Sequence, residues 1–111
     1  MSWDIYFEKN GETVMLDEPL DIRGGTYCMG GTREAWLNVT WNYGKHFRFG
    51  ELDKKTAAEA IMVLVPAALR LNASDTDPDY WKPTEGNVRR AIENLLTLAR
   101  SVPADSVIRI S

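Results

Sequence analysis

The stretch from Trp3 to Leu16 constrains the fold more than any other. Trp3, Ile5 and Phe7 alternate with Asp4, Tyr6 and Glu8, the period-two pattern of a strand with one buried face. Lys9-Asn10-Gly11-Glu12 follows, and Asn-Gly accepts the positive φ angles of a type I′ turn. Thr13 to Leu16 then runs back, so a β-hairpin opens the chain.

Pro19, flanked by Asp17, Glu18 and Asp21, lacks the amide a ladder needs and takes the chain out of the sheet. A second hairpin is predicted from Thr26-Tyr27-Cys28-Met29, ended by Gly30-Gly31, with Glu34 to Tyr43 as its partner strand. Alternation along that partner puts Ala35, Leu37, Val39 and Trp41 on the core face and Trp36, Asn38, Thr40 and Asn42 on the other. Trp41 is therefore expected beneath helices. Trp36 is expected on a polar, aromatic face covered by the Asp79 to Lys82 loop or by a partner.

Thr56-Ala57-Ala58-Glu59 fits a capping box, with Asp53 as a rival cap. Ile61, Leu64, Val65, Ala68, Leu69 and Leu71 form the apolar stripe of the helix it starts, and Pro66 predicts a kink or break within it. Asn72 to Lys82 reads as a loop. Its Asp75, Asp77 and Asp79 alternate as in a calcium loop, but the glycine and terminal glutamate of such a loop are missing. Thr84 caps a second helix whose apolar residues run from Val88 to Val102 at spacings of three and four. Pro103 stops it, and Val107 to Ile110 forms a last strand. The fold class is α+β: one domain over residues 1–111, in two layers, with an antiparallel sheet of about five strands and two or three helices on one face.

At 111 residues, with 44% hydrophobic content, the chain can bury a core without metal or disulfide staples. A formal charge of −3, mixed along the chain, argues against bare nucleic acid as a partner, because such binding rests on a basic face. Neither an export signal nor a membrane span is read, which points to the cytoplasm and to no membrane partner. Cys28 and His46 stand alone of their kinds, so no metal set and no cofactor is expected. Cys28 reads as a small buried residue. Its pairing with His46 as nucleophile and base lacks any local activation.

Two groups of motifs carry a resemblance. Arg23-Gly24-Gly25-Thr26-Tyr27 with Gly30-Gly31-Thr32 and Glu34 to Tyr43 forms one; Asp79-Tyr80-Trp81 with Pro83-Thr84-Glu85-Gly86-Asn87 forms the other. Together they resemble a family of small, uncharacterised phage and prophage proteins, over most of the chain. The resemblance implies a phage or prophage origin, hence the cytoplasm of a host cell, and carries no catalytic residue.

Two functions are weighed, and the first is preferred. It is a non-catalytic accessory protein, with an anti-defence role as one form, that docks on a host or phage protein or on itself as a homodimer. Its contact residues would be Trp36, Asn38, Asn42, Tyr43, His46, Tyr80, Trp81 and Lys82, since aromatics beside amides suit interfaces. The second is a small anion-binding protein or enzyme, with the helix amides at Thr84, Gly86 and Asn87 as the anion site and Arg23, His46 and Lys82 around it.

Overall fold

The computed structural model describes residues 2–22 and 33–111. The strand predicted at Thr26 to Met29, together with Cys28 and Arg23, lies outside the described residues. Strand β1 (Ser2–Lys9) turns through Asn10 and Gly11, whose φ angles of 54° and 79° are those of the expected turn, into the short β2 (Glu12–Thr13). Strands β3 (Trp36–Thr40) and β4 (Val107–Ile110) also pair antiparallel with β1. The observed sheet thus has four strands in the described residues, all gathered on β1.

Three partners on one strand require two of them to share an edge. Phe7 is where they meet: its amide donates to the Ala35 carbonyl, and its carbonyl accepts from the Val14 amide. The opposite edge belongs to β4, whose own outer side is closed by Lys54, Lys55 and the Asp53 carboxylate, which accepts from the Ile110 amide at 3.0 Å. Asp53, the rival cap, is thereby occupied at the sheet edge.

Register puts Ile5 opposite Leu37 and Phe7 opposite Ile108, so these side chains share one face. They are fully buried with the inner faces of two helices, α1 (Ala57–Leu69) and α2 (Glu85–Ala99). Thr56 caps α1 through the full reciprocal box with Glu59, and Thr84 caps α2 by accepting from the Asn87 amide. The α+β class is as expected.

Two expectations are corrected. Of the kink or break expected at Pro66, the break does not occur, and helix α1 runs on to Leu69. The carbonyl that loses its amide partner belongs to Met62, the most exposed large apolar residue of the helix, where water can replace the donor. Residues Glu34 to Tyr43 are not one strand either. The Thr40 hydroxyl accepts from the Asn42 amide, and a 3-10 helix (Trp41–Lys45) begins, followed by a second (Phe49–Leu52).

Candidate functional site

The early end of β3 decides what the molecule presents. Alternation would have buried Trp41; the turn after Thr40 swings it outward, 43% exposed, with its ring 5.1 Å from that of Trp3. Tyr43 takes the buried place two residues on. Its hydroxyl donates to the Tyr80 carbonyl at 2.7 Å, and the Asn42 amide group donates to the Trp81 carbonyl at 3.1 Å. The 3-10 helix is therefore bonded side chain to backbone with the distant loop before α2.

That loop is rigid for reasons its residues make plain. Asp77 and Asp79 each accept, through Oδ1, from the amide two residues ahead, at 2.8 and 3.0 Å. These are side-chain turns that replace backbone ones, and they give the alternating aspartates a structural task. Buried Asn87 holds the loop from below. Its Nδ2 donates to the Asp79 and Lys82 carbonyls at 3.2 and 3.0 Å, and its Oδ1 accepts from the Asp77 amide at 3.2 Å. Lys82 lies 3.5 Å from the Asp77 carboxylate. On this frame Tyr80 and Trp81 stand 38% and 44% exposed, their rings 5.6 Å apart.

The same bonds change the reading of the helix terminus as an anion site. The Glu85 amide donates to the Asp75 carboxylate, that of Gly86 to the Asp75 carbonyl, that of Asn87 to the Thr84 hydroxyl and that of Val88 to the Thr84 carbonyl. All four amides that would greet an anion are occupied, two by Asp75 of the loop and two by the cap residue Thr84. Thr84, Gly86 and Asn87 thus clamp the loop, and Lys82 is engaged with Asp77.

A cleft of about 160 Å³ lies between the two segments, lined by Tyr43, Asp77, Pro78, Tyr80, Asn87 and Arg90. Burial pushes the Tyr43 hydroxyl up to about 12, the Arg90 guanidinium pulling weakly the other way. At neutral pH Tyr43 is a hydrogen-bond donor and not a proton acceptor. Because its folded value is raised above the unfolded one, the native state holds a proton between about pH 10 and 12 that the unfolded chain has lost, so stability falls across that window. We expect urea midpoints measured from pH 9 to 12 to fall less steeply for Tyr43→Phe than for the parent; parallel curves would detach this loss from Tyr43.

The remaining sequence candidates lie elsewhere. Trp36 is half-buried on the outer sheet face, its indole donating to Asp4 at 3.2 Å. Asn38 is buried and donates to Ser2 and Asp4; among the described residues its Oδ1 has no partner. The loop expected over Trp36 makes its hydrogen bonds to Asn42 and Tyr43 instead. His46 ends the 3-10 helix in a shallow depression of about 420 Å³ that also takes in Lys45, Lys55, Arg70 and the pair Arg48–Glu51, 3.7 Å apart. The structure thus joins Asn42, Tyr43, Tyr80, Trp81 and Lys82 through hydrogen bonds in which the side chains of Trp36, Asn38 and His46 take no part. Sequence reasoning missed Trp41 as a surface aromatic. The one available signal was Asn42-Tyr43-Gly44, a turn-forming run directly after Trp41.

Among the described residues no group of His, Cys, Asp and Glu is arranged to hold a metal, and no helix is long and apolar enough to cross a membrane. No family model, no curated protein and no solved structure matches the chain.

Proposed function

We propose that this is a non-catalytic binding protein that docks on a protein partner through the ridge formed by Trp41, Asn42, Tyr80 and Trp81. One observation carries the reading: three large aromatics stand exposed on backbone that Tyr43 and buried Asn87 hold fixed. Exposed aromatics on rigid backbone lose little entropy on binding, and Trp and Tyr dominate measured interface energies. The chemistry of the cleft agrees, since Tyr43, Asp77 and Asn87 are all committed to holding the loop. The motif resemblance supports an accessory protein of phage or prophage origin, acting in the host cytoplasm on a host or phage protein. An anti-defence role is the form that best suits a small chain of that origin. The test is capture from infected host cells with tagged parent and with the Trp41→Ala, Trp81→Ala double variant, quantified by mass spectrometry. A protein retained by the parent and lost from the variant supports the reading; identical captures refute it.

A second reading rests on the depression at His46, where Lys45 and Lys55 make no ion pair with any described residue. It is an anion site moved away from the occupied helix terminus. Titration with inorganic phosphate should then shift the His46 ring resonances in a saturable way, and the shift should vanish in Lys45→Ala, Lys55→Ala; a linear or unchanged response rejects it.

A further inference from the structure

Helix α1 is apolar on the wrong side as well as the right one. Of its thirteen residues Glu59 is the one that carries a charge. Its inner face, Ala57, Ala60, Leu64, Ala67 and Ala68, is buried in the core. Its outer face is also apolar: Met62 is 77% exposed, Leu69 70%, and Val63 and Pro66 are exposed with them. A helix apolar all round is normally buried all round, so this face calls for an occupant.

The spacing identifies one. Glu59, Met62, Val63, Pro66, Leu69 and Arg70 follow one another at three and four residues, a single stripe along the helix. Charge occurs at its two ends, with opposite sign. A stripe that is negative at one end, apolar in the middle and positive at the other is complementary to itself when two copies run antiparallel. Glu59 of each copy then falls beside Arg70 of the other. The helix dipoles also oppose, which is the favourable arrangement. Arg70 makes no ion pair with any described residue, and Glu59 spends only Oε1 on its cap. Alongside the stripe a groove of about 260 Å³ opens between α1 and α2, with Val65, Ala68, Leu69 and Leu96 forming its apolar part and Arg89, Glu93, Thr97 and Arg100 its polar part. It offers a seat for Met62 of a second copy.

We infer that the outer face of α1 is an isologous dimer interface, two copies packing α1 against α1 antiparallel about a two-fold axis. It is separate from the aromatic ridge and stands without it. A homodimer contact of this kind is expected to be more apolar than the rest of the surface. A helix of this length offers less area than a standard interface, so dissociation falls in the micromolar range.

Sedimentation velocity from about 1 to about 100 μM tests it on the whole chain. The parent should show a concentration-dependent monomer–dimer equilibrium. Because each substitution enters a two-fold interface twice, Leu69→Asp and Met62→Asp should each raise the dissociation constant on the order of 100-fold. Both residues are too exposed for the fold to depend on them, and unchanged far-UV circular dichroism verifies this. Arg70→Glu should weaken the dimer more than Arg70→Ala, by repelling Glu59 of the second copy. A parent that is monomeric throughout, or aspartate variants that associate like the parent, overturns the interface. Equal effects of Arg70→Glu and Arg70→Ala overturn the antiparallel arrangement.

Discussion

Replacing Asn87 with alanine is expected to lower stability by about 3 kcal/mol, the sum of several lost bonds to a buried amide, and to free the segment from Asn72 to Lys82. Nδ2 and Oδ1 together serve the Asp79 carbonyl, the Lys82 carbonyl and the Asp77 amide. Alanine satisfies none of these, and the groups left behind face a space that the loop itself closes. Leaving a donor or acceptor buried without a partner costs more than the bond was worth. The loss should be uneven. Backbone amides of β1 and α2 should keep their hydrogen-exchange protection relative to global unfolding, whereas the amides of Asp77, Asp79 and Trp81 should lose it. Gly86→Ala reaches the same loop from the opposite side. A Cβ there would lie 2.6 Å from the Asp75 carbonyl oxygen, a backbone atom that cannot step aside without moving the loop, at a cost of roughly 1–3 kcal/mol. A variant of Asn87 as stable as the parent, with loop protection intact, would show that the loop holds itself in place.

The sequence made local features legible and long-range ones much less so. The Asn10-Gly11 turn, the Thr56–Glu59 box and the apolar spacing of α2 depend on neighbours a few residues away, and all appear where expected. Trp41 does not, because its direction depends on where β3 stops. That point is set by Thr40 capping the next turn and by Tyr43 fitting under a loop nearly forty residues later, with its hydroxyl on Tyr80. Alternation continued past Thr40 assigns Trp41 to the core; the end of the strand reverses it. Helix α1 shows a different limit. Of its apolar stripe, Leu64 and Ala68 are buried and Ile61, Val65 and Leu71 pack half-buried against the core, yet Leu69 is exposed. When nearly every position is apolar, periodicity gives no direction, and small residues such as Ala60 and Ala67 take the close contacts with the core. The anion-site reading failed for a related reason. Thr84, Gly86 and Asn87 do form a helix terminus with exposed-looking amides in sequence, but Asp75, which takes the Glu85 and Gly86 amides, sits in the preceding loop, where it reads as a turn former.

Trp81→Ala and Trp41→Ala are expected to weaken partner binding by about 2 kcal/mol or more each, the loss typical of an interface hot spot, while leaving stability nearly unchanged. The reasoning is geometric. Neither indole is part of the buried core, and the hydrogen bonds that fix Trp81 use its amide and carbonyl, which alanine keeps. Trp41 loses its ring contact with Trp3 on the surface, a small stabilising contribution compared with a core side chain. Asn87→Ala should weaken binding as well, for a different cause: the aromatics remain, but ordering the loop must be supplied at the moment of binding. Substitution of Trp36, on the outer sheet face and bonded to Asp4, provides the contrast, since it lies apart from the ridge.

The central claim is that the ridge of Trp41, Tyr80 and Trp81 is the contact surface, and calorimetric titration of the partner captured from infected cells tests it most directly. The account predicts dissociation constants raised about 30-fold or more for Trp41→Ala and for Trp81→Ala, with thermal melts that match the parent. Affinities unchanged in both variants, or lost in Trp36→Ala and kept in these two, would contradict it.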